Sequence, residues 1–181
     1  VMSQIASEFN LAHDAEISLE MNPGISAPSK LQAMVEAGIN RLSIGVQSFQ
    51  DEELRYLGRG HTVFNTVEAI NTVKALGLKS WSLDLMTGFQ GQAVSKVMDS
   101  IEQALNFVPP HMSVYSLSIE PGTPFAKQNE DSASPDRSLA QSRAVRKRMH
   151  QAGYHRYEIA NYAKAVMNVG TICNTGATKI T

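Results

Sequence analysis

Short β-like runs alternate with longer helical stretches along this sequence, and that order restricts the chain to few folds. The runs are Glu16–Met21, Arg41–Gln47, Ser80–Met86, Met112–Glu120 and, with the weakest signal, Arg156–Asn161. Helical patterns fill the intervals at Pro28–Ala37, Asp51–Leu57, Thr62–Leu76, Ala93–Leu105 and Arg137–Ala152. Gly38, Gly77 and Gly153 stand where three of these helices should stop. Pro109-Pro110 halts the helix before the Met112 run. Strand–helix–strand order repeated in this way predicts parallel strands joined by crossover helices. The expected class is α/β, with a barrel and a doubly wound sheet both open at this level.

The strands carry a second signal. Side chains alternate between the two faces of a strand. Ile17 and Leu19 oppose Ser18 and Glu20; Leu42, Ile44 and Val46 oppose Ser43, Gly45 and Gln47; Trp81, Leu83 and Leu85 oppose Ser82, Asp84 and Met86. In the fourth run the same reading sets Tyr115, Leu117 and Ile119 against Ser116, Ser118 and Glu120. Parallel strands buried on both faces normally read as continuous apolar runs. Here one face is bulky and apolar, fit to pack on helices. The other is small and polar and ends in Glu20, Gln47, Asp84 and Glu120. Ligands of α/β folds sit at the carboxyl ends of strands. The pattern therefore predicts a polar cavity ringed by Glu20, Gln47 and Asp84, against the plain alternative of a solvent-facing sheet.

Composition narrows the rest. Hydrophobic residues make up 43% and charged residues 18% of 181. That balance supports a sizeable core and excludes a disordered chain, a coiled coil or a collagen-like fibre. With 16 basic and 17 acidic residues the formal net charge is −1, so charge gives no case for a nucleic-acid or membrane-surface partner. No apolar run reaches the roughly 18 residues of a transmembrane segment. Cys173 is the only cysteine, which rules out a disulfide within the chain and fits a reducing compartment. One thiol cannot hold an iron–sulfur cluster or a structural zinc. The five histidines form no pair at i, i+4. His61, beside Arg59, is expected to be a solvated or hydrogen-bonded loop residue. The basic run Arg143, Arg146, Lys147 and Arg148 is read as the wet face of a helix that turns Ala144, Val145 and Met149 inward.

Several segments together resemble one family. They are Glu16–Gly24 (EISLEMNPG), Gly38–Phe49 (GINRLSIGVQSF), Leu57–His61 (LGRGH) and Ser82–Gly88 (SLDLMTG). In this order and spacing they resemble the radical S-adenosylmethionine (SAM) proteins related to oxygen-independent coproporphyrinogen III oxidase. Ser113–Phe125 (SVYSLSIEPGTPF) looks most like the haem-chaperone branch. The resemblance implies part of a radical-SAM partial TIM barrel, its central and C-terminal strands built from parallel β/α repeats. It also implies SAM and a [4Fe-4S] cluster as cofactors of the intact parent, with haem as a further ligand and haem-accepting proteins as partners. The family's SAM-contacting positions fall on Glu20, Gln47, Arg59 and Asp84. Arg59 suits a bidentate grip on the SAM carboxylate. Glu20 and Asp84 suit hydroxyls or the ammonium, and Gln47 both donates and accepts. Met86 and Ser118 are further candidates for the same cavity.

Departures from the family pattern matter equally. Its three-cysteine cluster loop and the glycine-rich strand end after it have no counterpart here. The chain is therefore read as a fragment, inactive by itself, which leaves open whether the parent is an enzyme. Residues 1–127 are expected to be a partial radical SAM core, 128–164 the start of the family's C-terminal region, and 165–181 an unmatched tail holding Cys173. An oxidase that decarboxylates porphyrinogen propionates is the alternative parent. An unrelated metabolic α/β barrel is the second alternative. The expected compartment is the cytoplasm, or an organelle in a eukaryote. The first strand, lacking its upstream neighbour, presents an open edge, and self-association is expected to follow.

Overall fold

The computed structural model describes residues 1–24, 27–127 and 133–164. Its elements run α1 (Met2–Glu8), β1 (Ser18–Met21), α2 (Pro28–Glu36), β2 (Arg41–Gln47), α3 (Asp51–Tyr56), α4 (Val63–Ala75), β3 (Ser80–Thr87), α5 (Val94–Asn106), β4 (His111–Ser116), α6 (Pro124–Lys127), α7 (Pro135–Gln151), β5 (Tyr154–Arg156) and β6 (Asn161–Lys164). The strands form one sheet in the order β1-β2-β3-β4-β6-β5. From β1 to β4 every neighbour is parallel, as expected for strands joined through helices.

Helices α2, α4, α5 and α7 bury their apolar stripes against one face of this sheet. Leu31, Ile70, Val73, Ile101, Ala104, Val145 and Met149 meet Leu42, Ile44, Val46, Leu83, Leu85 and Met112 in one core. Burying a side chain of this size contributes about 2 kcal/mol. The basic run on α7 behaves as read: Val145 and Met149 are buried, Arg143, Arg146 and Lys147 are exposed, and Arg148 forms a two-point pair with Glu102 of α5.

Two expectations need correction. The weakest run, Arg156–Asn161, is not a fifth parallel strand but mainly the turn of a hairpin between β5 and β6, with β6 antiparallel to β4. The short connection through Tyr157–Ala160 leaves no room for a crossover helix, so reversal is the only pairing available. The fourth strand ends at Ser116, not Glu120. Within it the buried residues are Met112 and Val114, so His111, Ser113 and Tyr115 take the opposite face. Cys173 and residues 165–181 lie outside the described residues, as does the stretch 128–132 of the polar segment before α7.

Candidate functional site

Opposite the helix-covered face, the sheet lines a cleft of about 860 Å³ whose walls include Glu20, Ser43, Gly45, Gln47, Arg59, Asp84, Ser113 and Tyr115. All four residues assigned from the sequence meet in it. Glu20 is exposed on the β1 rim, Gln47 is buried, and Arg59 and Asp84 are half-buried. Carboxylates 20 and 84 thus face one common space. The cross-strand register explains this, since Glu20 pairs with Ser43, Ser43 with Ser82, and Asp84 with Ser113.

Backbone geometry sets two of the four. Arg59 follows the end of α3, where Gly58 adopts φ 65°. The Gly58 N–H donates to the Arg55 carbonyl and the Arg59 N–H to the Leu54 carbonyl. These crossed bonds form a Schellman cap, which needs a left-handed residue at the glycine position. The cap turns the chain back toward the sheet and delivers Arg59 to the cleft. At Gln47, β2 carries one extra residue against β3: Ile44 pairs with Leu83, and Gln47, three residues on, pairs with Leu85, only two on. Gln47 takes φ 66°, and the Ser48 N–H bonds back to the Val46 carbonyl at 2.8 Å. This is a γ-turn of the strained hand, costing on the order of 1–3 kcal/mol for a non-glycine residue.

Buried polar groups hold that turn from behind. Ser48 donates to Glu53 Oε2 at 2.6 Å, Gln92 Nε2 donates to the same oxygen, and His61 Nε2 lies 3.3 Å from the Val46 carbonyl. His61 is therefore hydrogen-bonded as expected but buried rather than solvated, and burial holds its imidazole below the usual range.

A directional chain of hydrogen bonds climbs the cleft wall to Asp84. The Ser43 hydroxyl donates to Asp84 Oδ2 at 2.6 Å, which leaves Ser82 to donate to Ser43 at 2.6 Å. Arg41 Nη2 reaches Ser82 at 3.5 Å. Burial is the main influence on the Asp84 carboxyl and pushes it above the usual range; Ser43 and Ser113 pull it down, Glu20 pushes it up and Arg41 lowers it. Asp84 Oδ1 and Arg59 Nε are buried without a hydrogen bond of good geometry, although the Ser113 hydroxyl lies beside the carboxylate.

The structure adds residues that strand phase alone did not place. The Tyr115 hydroxyl donates to Gln47 Oε1 at 2.9 Å. His111 Nε2 pairs with the Tyr157 hydroxyl at 2.7 Å near the lower end of the cleft, and burial, reinforced by Arg41, lowers its imidazole to about 4. Reading Met112 and Val114 as the inward pair would have found Tyr115; its bulk misassigned it to the apolar face. Ser118 and Glu120 lie beyond the strand and bond to each other, and neither lines the cleft. Met86 packs with Leu57 and Phe89 and meets Arg59 Nη2 through its sulfur at 3.8 Å.

The donor set can be tested against SAM. Three carboxylates (Glu20, Asp84, Glu158) and two guanidiniums (Arg41, Arg59) line the cleft, so a cationic ligand is complemented. The open valences at Arg59 Nε and Asp84 Oδ1 suit a molecule with both acceptors and donors. Gly45 leaves the backbone bare where a Cβ would crowd Gln47 and Asn22. These features fit SAM. A cluster is different: among the described residues no group of three His, Cys, Asp or Glu side chains is placed to hold a metal.

Comparison with known proteins gives consistent relatives. Residues 3–104 match the Radical SAM superfamily. The chain is 38% identical over 165 residues to "Heme chaperone HemW" of Haemophilus influenzae, covering 91% of this chain and 43% of that protein. It is 36% identical over 171 residues to "Radical S-adenosyl methionine domain-containing protein 1, mitochondrial" of Bos taurus, covering 91% and 38%. Among solved structures, the coproporphyrinogen III oxidase HemN from Escherichia coli superposes with a TM-score of 0.85 at 24% identity, over 94% of this chain and 40% of that one; that likeness concerns the fold. The chain spans less than half the length of these relatives.

Proposed function

The chain belongs to the radical SAM superfamily, and on that premise we propose that its cleft is the SAM-binding half of a haem-chaperone-like protein. The observation that carries this is the convergence of Glu20, Gln47, Arg59 and Asp84 on one cleft, with buried open valences at Arg59 and Asp84. Arg59 holds the ligand's carboxylate, where a planar guanidinium with a free Nε–H presents paired donors. Asp84, kept from full solvation and backed by Ser43, accepts from the ligand's hydroxyl or ammonium groups. Glu20 closes the exposed rim with a second negative charge. Gln47 supplies an amide between them. When bound beside a reduced cluster, SAM supplies a sulfonium that one-electron reduction can cleave.

Cluster ligands belong, in this reading, to a segment upstream of Val1 in a longer protein. Haem binding and transfer come to the chain from the printed names of relatives and describe that longer protein, as do haem-accepting partners. The test is calorimetric titration of the full-length, cluster-loaded protein with SAM and, separately, with haem, for the parent sequence and Asp84→Ala. The expected result is haem binding by both proteins and SAM binding weakened at least about tenfold in the variant, the loss of a charge-assisted bond. Unchanged SAM affinity removes Asp84 from the site; absence of haem binding removes the chaperone reading.

A further inference from the structure

The cleft contains one polar side chain whose hydrogen bonding is committed before any ligand arrives. Gln47 is 5% exposed, and its backbone is fixed by the γ-turn. Its carbonyl oxygen accepts from the Tyr115 hydroxyl at 2.9 Å. Tyr115 stands on β4, across β3 from Gln47, and is 36% exposed on the cleft side. A free glutamine amide presents either its oxygen or its nitrogen by rotating about the last torsion, at little cost. Tyr115 biases that choice: with Oε1 as its acceptor the phenol hydrogen is paired, whereas the flipped amide would donate to the phenol oxygen and leave the phenol hydrogen to find another acceptor. Burial, then the Asp84 carboxylate, push the Tyr115 phenol above its ordinary range, so it remains a donor at every physiological pH.

We infer that Tyr115 is a positioning residue that locks Gln47 as a hydrogen-bond donor, so that the ligand group meeting Gln47 is an acceptor such as a ring nitrogen or ribose oxygen. This rests on the SAM-site reading and names what that site selects. The Gln47 NH2 stands beside Gly45, where an added Cβ would lie 2.9 Å from Nε2; the missing side chain at position 45 leaves that donor uncovered. Strand phase alone turns Tyr115 toward the helices, whereas the structure sets it in the cleft. The order of consequences is physical. A preset donor costs a matching ligand no reorientation, whereas a ligand offering a donor at that point leaves two donors facing each other.

A double-mutant cycle on the full-length protein, read by calorimetry with SAM and with S-adenosylhomocysteine, tests it. Tyr115→Phe is expected to weaken both ligands about fivefold, the worth of one neutral hydrogen bond. In a Gln47→Ala background the same substitution is expected to change affinity by less than about twofold. Gln47→Glu retains an oxygen for Tyr115 and removes the donor, so it is expected to bind as poorly as Gln47→Ala. A Tyr115→Phe loss of equal size in both backgrounds overturns the proposal in favour of direct contact. Wild-type binding by Tyr115→Phe or by Gln47→Glu also overturns it. If Gln47→Ala and Asp84→Ala both bind SAM normally, it is the SAM reading itself that fails. Circular dichroism of each variant establishes folding, and the Gln47→Glu arm stands even if Tyr115→Phe fails to fold.

Discussion

Replacing Gly45 by Ala should separate binding from stability. The residue is not in the left-handed region of φ, so alanine adopts its backbone without strain. Losing a glycine from the unfolded chain stabilises by about 0.4–1 kcal/mol. The new Cβ, however, would lie 2.9 Å from Gln47 Nε2, 3.0 Å from Asn22 Oδ1 and 3.5 Å from the Met21 carbonyl. The first two are ends of side chains and can yield, but Gln47 yields only by leaving Tyr115, at about 1 kcal/mol for that hydrogen bond. The two terms nearly cancel, so the melting temperature should stay within about 4 °C of wild type for a chain of this size. Affinity has no such compensation. A displaced Gln47 and a methyl group inside the cleft together cost at least about 1.4 kcal/mol, a tenfold loss. Thermal unfolding followed by circular dichroism, with SAM titration of the same preparation, measures both. Wild-type affinity, or a melting temperature lowered by more than about 8 °C, would refute the assignment of Gly45 as a bare patch of cleft wall.

Three further outcomes are expected. Asp84→Asn keeps an acceptor for Ser43 but removes a carboxylate whose folded-state pKa is raised. The stability conferred by a raised carboxyl is present below its unfolded pKa and lost as pH rises, so the variant should match or exceed wild type in urea resistance near pH 7, and that advantage should shrink toward about pH 4. His111, lowered from 6.5 to about 4, works in the opposite sense: stability is full above 6.5 and falls as pH drops toward 4, by up to ~3 kcal/mol and less where water reaches the ring. Urea melts of His111→Gln should show a flatter acid limb, and an unchanged limb would place the acid loss elsewhere. Finally, β1 pairs only with β2 among the described residues, with partly buried Ile17 and Leu19 beside the open edge. The 181-residue chain by itself should self-associate, and a monodisperse monomer in sedimentation velocity would count against that expectation.

Much of this molecule is legible without coordinates because alternation is a local property. The phases of β1, β2 and β3 follow from residues two apart, and they suffice to aim Glu20, Ser43 and Asp84 at one side; Gln47 reaches the same side through the bulge and turn at the end of β2. Arg59 came from the family resemblance; the Leu57-Gly58 step shows why it arrives there, since a glycine cap redirects the chain wherever the helix ends. Superfamily membership likewise displaces the reading as an unrelated metabolic barrel.

What local pattern left undecided depends on contacts between distant residues. The fourth strand offered two phases of comparable hydrophobicity, and packing against α5, α7 and β6 chose Met112 and Val114 for the core, which brought Tyr115 into the cleft. The strained turn at Gln47 is invisible in composition. It persists because the adjacent Ser48 is held by Glu53 of α3, to which Gln92 of the loop before α5 also bonds. The hairpin at the end of the sheet was settled by a connection too short for a crossover. Sequence thus determined that Glu20, Ser43 and Asp84 face the cleft, because the two-residue period needs no partner to be read. Tertiary structure alone decided how those side chains are oriented, because orientation is imposed by hydrogen bonds that span up to 68 positions of chain, as between Gln47 and Tyr115.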